Sequence, residues 1–207
     1  DEQHRYGEIS KRMSELGSKF SNNVLDATMG WTKHVEDEKQ LAGMPESALA
    51  AAKAAAESKE LDGYLLTLDI PSYLPVMTYC DNQELRKELY EAYVTRASDR
   101  GPKAGEWDNS EIINEQLKLR YEIARMLGFN TFSEKSLATK MAENPSQVLG
   151  FLNDLANKAK PQGEREVEEL RQFAKSEFGV EELNLWDIAY YSDCLLYTSP
   201  SPRDVHL

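Results

Sequence analysis

The stretch Ile9-Ser-Lys-Arg-Met13-Ser-Glu-Leu16-Gly-Ser-Lys-Phe20-Ser-Asn-Asn-Val24-Leu-Asp-Ala27-Thr-Met-Gly-Trp31 decides the fold class. Its apolar residues recur every three or four positions, which winds them into a single stripe along a helix of about 3.6 residues per turn. A mainly α chain is therefore expected. After Gly30 the β-branched Thr32 and Val35 interrupt that period, so 31–36 is expected to hold a short strand.

Outward from this helix the signals alternate. Pro45 at a first-turn position, Glu46 and the alanine run 48–56 predict a helix that closes near Asp62-Gly63, and its lack of bulky residues implies close packing. From Tyr64 the period drops to two, with Tyr64, Leu66, Leu68 and Ile70 alternating with Leu65, Thr67 and Asp69. That predicts a strand over 64–70, ended by Pro71. Pro75 leaves 73–79 open, with a single helical turn one reading. Asp81-Asn82 then caps a helix carrying Leu85, Leu89, Ala92 and Tyr93. Gly101, Pro102 and Gly105 make 98–107 a loop.

The helix after Asp108-Asn109-Ser110 carries apolar residues from Ile112 to Leu127 on more than one face, as expected of a helix sandwiched between neighbours. A short helical stretch is predicted around Ser136–Ala142. Asn144-Pro145 opens another helix, which Pro161 is expected to break or kink, and a further one runs from about Gln162 to Gly179. Trp186-Asp187 starts the last. With Pro200 and Pro202 and no apolar period, 194–207 is expected to be irregular and unable to continue that helix. This segment also resembles the translated adapter read-through that ends some assembled gene fragments, which would make it foreign to the protein.

Lys and Arg total 24 against 36 Asp and Glu, a net charge of −12. A phosphate-tracking surface needs a basic face, so nucleic acid is excluded as an expected partner, and an anionic membrane surface with it. No apolar run approaches the roughly 20 residues of a bilayer span. Cys80 and Cys194 lack CxxC spacing, which fits a reducing cytoplasm. The first residue is Asp1, within a helical pattern, so the start of the protein is expected to be missing.

Chemistry-bearing residues are sparse. Only His4, His34 and His206 occur, and HExxH is absent, so a helical zinc site has no ligand pair. His4 and His34 read as solvated or hydrogen-bonded side chains, and Cys80 as a small buried hydrophobe. Glu164, Glu166, Glu168 and Glu169 invite a di-metal carboxylate reading, but without ExxH and interleaved with Arg165 and Arg171 they read better as a solvated face. Gly101 and Gly105 form no phosphate-binding pattern. Tyr79, Tyr90, Tyr93, Tyr190 and Tyr191 could line a peptide-binding wall, although aromatics at helical spacing read first as core.

Several exact words carry a resemblance. They are Arg5-Tyr-Gly-Glu-Ile9, Phe20-Ser-Asn-Asn-Val-Leu-Asp-Ala27, Leu41-Ala-Gly-Met-Pro-Glu46, Gly63-Tyr through Val76-Met-Thr-Tyr79, Trp107-Asp-Asn-Ser110, Ser136-Leu-Ala-Thr-Lys-Met-Ala142 and Trp186-Asp-Ile-Ala-Tyr-Tyr-Ser192. Through them residues 1 to about 193 resemble the thimet-oligopeptidase family of zinc metallopeptidases. The resemblance implies helical clamshells whose channel admits short unfolded peptides, cytoplasmic and monomeric in full-length form. It implies zinc that polarises the scissile carbonyl, with the HExxH glutamate activating water. Neither maps onto a residue here, so no catalytic, cofactor-binding or metal residue is expected in this chain.

The expected organisation is 1–80 as the end of the family's N-terminal helical region, 81–193 as the opening helices of the metallopeptidase domain, and 194–207 as a non-native tail. The expected role is that of channel-wall helices in a fragment lacking the catalytic site. The alternative is a self-contained acidic helical interaction module without catalysis.

Overall fold

The computed structural model describes residues 2–198. Within them lie eight α-helices and one two-stranded sheet, a mainly α chain as the periodicities predict. Helix α1 (Glu2–Met29) lays Ile9 and Leu16 against Ile112, Leu119 and Ile123 of α5 (Ser110–Met126). Two forked ion pairs flank that seam. Arg5 donates from Nε and Nη2 to Glu122 at 2.7 and 2.9 Å, and Arg12 donates to Glu115 at 2.6 and 2.9 Å.

Hydrogen bonds from these arginines hold the Glu115 and Glu122 carboxyls below their ordinary value of 4.5. A depressed folded-state value means the stabilisation is complete above pH 4.5 and is lost as pH falls through the lower folded-state values. The deficit of an Arg5→Gln/Arg12→Gln variant, measured by urea titration at pH 6, is therefore expected to close as the pH is taken well below 4.5. A deficit independent of pH would mean the arginines act through packing alone.

Strands β1 (Thr32–Val35) and β2 (Tyr64–Thr67) pair antiparallel, Thr32 opposite Thr67 and Val35 opposite Tyr64. Helix α2 (Glu46–Glu57) packs on β2 with Ala52 and Ala56 buried, the close approach that its alanines permit. Pro45 stands at its N-cap rather than in its first turn. Helices α3 (Ile70–Tyr79) and α4 (Gln83–Val94) complete the main core, where Leu41, Leu66, Val76, Cys80 and Leu89 lie together. The Asn82 side chain accepts from Leu85 N–H at 3.2 Å, the cap expected for α4. Helix α6 (Phe132–Leu137) leads to α7 (Pro145–Phe178) and, through a 3₁₀ turn at Leu185–Asp187, to α8 (Ile188–Thr198).

The structure departs from several expectations and closes one left open. The strand over 64–70 ends at Thr67, because Thr67 N–H donates to the Ser72 hydroxyl at 2.9 Å and the Thr67 hydroxyl engages Asp69. Pro71 consequently opens α3 instead of closing the strand, its fixed φ suiting a first turn. Segment 73–79 belongs to that ten-residue helix, whose Val76 and Met77 are anchored in the core although Pro75 lacks an N–H. The stretch expected at 136–142 lies at 132–137, positioned by a capping box in which Thr131 and Glu134 satisfy each other's backbone.

Pro161 does not break α7, which is continuous over 34 residues. The carbonyl it cannot satisfy belongs to Asn157 on an exposed stretch where water is available. Finally, α8 continues through Cys194 to Thr198, with Leu195 packed against Tyr191 and its neighbours. Pro200 restricts the residue before it and the carbonyl four back, which leaves 194 and 195 free to be helical. The remainder of the expected irregular tail, 199–207, lies outside the described residues.

Candidate functional site

The most tightly built polar site joins α3, α4, the 185–187 turn and α8. Arg86, one turn into α4, is 1% exposed, and Asp187 at the end of the turn is 0% exposed. Arg86 Nη2 donates to Asp187 Oδ1 at 2.8 Å, and Nη1 donates to the Cys80 carbonyl at the end of α3 at 2.6 Å. The other carboxylate oxygen, Asp187 Oδ2, accepts from Gln83 Nε2 at 2.9 Å and from Asn184 N–H at 3.3 Å. The guanidinium lies 4.1 Å from the Tyr190 ring centroid, a cation–π contact in a desolvated setting. Tyr190 in turn donates its hydroxyl to Asp81 Oδ1 at 2.8 Å.

Burial first, then the Asp81 hydrogen bond, pushes the Tyr190 hydroxyl well above its ordinary value, so it stays a proton donor. Burial also raises the Cys80 thiol, whose Sγ approaches the Gln40 carbonyl at 3.4 Å, and this disfavours a reactive thiolate. Both Asp187 oxygens and both terminal nitrogens of Arg86 are engaged. The cluster therefore locks four backbone segments in register and offers no free base or nucleophile.

The residues singled out in the sequence are dispersed. His4 stands on α1, 3.6 Å from Glu8, and His34 on β1 contacts the Asp62 carbonyl at 2.5 Å. His206 lies outside the described residues. On α7, Glu166 accepts from Gln162 and Glu168 pairs with Arg171, an exposed helix face. Gly101 and Gly105 belong to turns between α4 and α5. Tyr90 and Tyr93 pack on the main core, and Tyr190 and Tyr191 on the α7–α8 cluster. Among the described residues no group of three or more His, Cys, Asp or Glu could hold a metal ion, so they do not fit the zinc that the resemblance implies. None of the described helices is long and apolar enough to cross a membrane.

Sequence reasoning missed the Arg86–Asp187 pair. The residues stand 101 positions apart, and Asp187 carries the local look of a helix start. The one available signal was Arg86 itself, a charge beside Leu85 in the apolar stripe of α4.

The buried ion pair locks a helical array, and comparison places the chain in a family of peptidases. The chain belongs to Peptidase family M3, whose profile matches residues 76–204. It is 72% identical to oligopeptidase A of Escherichia coli over 193 residues, which is 93% of this chain and 28% of that protein. It is 64% identical to oligopeptidase A of Haemophilus influenzae over the same shares, and 39% identical to a probable cytosolic oligopeptidase A of Arabidopsis thaliana over 94% and 28%. The chain thus spans little more than a quarter of the length of these relatives.

Proposed function

We propose that this chain is a segment of a zinc-dependent oligopeptidase acting on short unfolded peptides in the cytoplasm. It supplies channel-wall helices, while hydrolysis and zinc binding belong to polypeptide that the relatives possess in addition. The observation that carries this reading is 72% identity to oligopeptidase A across 93% of this chain, in a stretch whose described residues group no metal ligands. Within the segment, 1–80 closes an N-terminal helical region and 81–193 opens the peptidase domain. The full-length form acts as a monomer.

The test exchanges the matched 193-residue segment of the Escherichia coli relative for that of this chain. The chimera is expected to bind zinc and cleave a short unstructured peptide at a rate close to the parent's. The chain alone is expected to do neither, for want of paired histidine ligands. Stoichiometric zinc and chelator-sensitive cleavage by the chain alone would overturn the reading, and so would a folded chimera without activity.

A further inference from the structure

We propose that the groove between α1 and α5 is an interaction surface for one amphipathic helix from the polypeptide by which the full-length relatives exceed this chain. This rests on the reading of the chain as a segment. The groove, of about 280 Å³, is lined by Gly17, Phe20, Ile113, Gln116, Leu117 and Arg120. Ile113, Leu117 and Tyr121 are 46%, 57% and 63% exposed at four-residue spacing, a second apolar stripe beside the one that α5 buries on α1. A stripe of this spacing is what a partner helix reads. Large apolar side chains so aligned seldom face water without a partner.

Gly17 points the same way. A glycine inside a helix costs about 1 kcal/mol relative to alanine. Nothing among the described residues requires one, since a Cβ there would meet only Gln116 Nε2, at 3.9 Å. A bare groove floor is useful when another backbone must come close. The size of the missing polypeptide supplies the occupant, because the relatives carry nearly three-quarters of their length beyond what this chain matches. A second copy paired groove to groove would bring Arg120 of each into a lining that offers it no acidic residue.

Gly17→Leu and the pair Ile113→Glu/Leu117→Glu test this in two settings, the chain alone and the chimera described above. In the chain alone, Gly17→Leu is expected to leave the melting midpoint unchanged or raise it, and the glutamates to shift it by less than about 2 °C. In the chimera each change is expected to lower the midpoint by about 10 °C or more, because the groove is then filled. Chimera melting unaffected by both would overturn the proposal. A chain that sediments as a dimer, and becomes a monomer with the glutamate pair, would overturn it in favour of a second copy. Peptide cleavage by the unsubstituted chimera reads the segment assignment separately, since the groove is scored by melting alone. Should the chimera fail to accumulate, the same changes at the aligned positions of the Escherichia coli parent give the same readout.

Discussion

Replacing Arg86 with Met is expected to abolish cooperative folding or to cost about 3–5 kcal/mol, the usual result of stranding a buried charge. Asp187 is 0% exposed and keeps only Gln83 and a long bond from Asn184 when the guanidinium is gone. The Cys80 carbonyl loses its donor, and the Tyr190 ring loses the cation beneath it. The loss is expected in near-UV circular dichroism and in a lowered urea midpoint. A double variant, Arg86→Met/Asp187→Leu, should recover most of the stability, because two apolar side chains then replace the pair. If the double variant were as unstable as the single one, the damage would lie in the shape of the site and the charge argument would fail.

Gly43→Ala is expected to be the next most damaging change, at about 3 kcal/mol. Gly43 has φ +86°, a conformation that costs an L-residue about 1–2 kcal/mol. A Cβ there would also stand 2.3 Å from the Tyr79 carbonyl oxygen and 2.7 Å from Asp81 Oδ1. Neither can retreat freely, since Asp81 N–H donates to the Ala42 carbonyl at 2.9 Å and Asp81 Oδ1 accepts from Tyr190. The strain would therefore pass into the Arg86–Asp187 cluster. Gly105→Ala is the control: φ is +80° there, but no atom lies within 4 Å, so it reports the backbone cost alone. Equal losses at the two positions, measured by urea titration, would show that the contacts at Gly43 yield and that conformation is the whole effect.

The helical reading of α1, α2, α4 and α5 came from residues a few positions apart, and so did the loop between α4 and α5. Such features are legible because amphipathic period, caps and turn residues act within one or two turns of chain. The capping box at Thr131 and Glu134 was equally local and was still overlooked. The family was legible too, since exact words such as Trp186-Asp-Ile-Ala-Tyr-Tyr-Ser192 survive in order, and the profile match bears that resemblance out. What failed was arbitration. At 68–79 two-residue alternation competed with Pro71 and Pro75, and the Ser72 hydroxyl settled it by taking the Thr67 N–H that a longer strand would have used. At Pro161 the helix runs on unbroken, on a stretch exposed to solvent.

The sequence by itself determined that this chain is mainly α, that it lacks paired metal-binding histidines and that it is kin to a peptidase, all from residue types and short spacings. Only the tertiary structure decided that Arg86 meets Asp187 across 101 positions, that α1 and α5 are clamped by two arginine forks, and that one stripe of α5 is left open. The physical reason is that a helical period shows that a face is apolar without naming what covers it. Which buried charge finds which partner depends on how distant segments come together, and no local pattern carries that information.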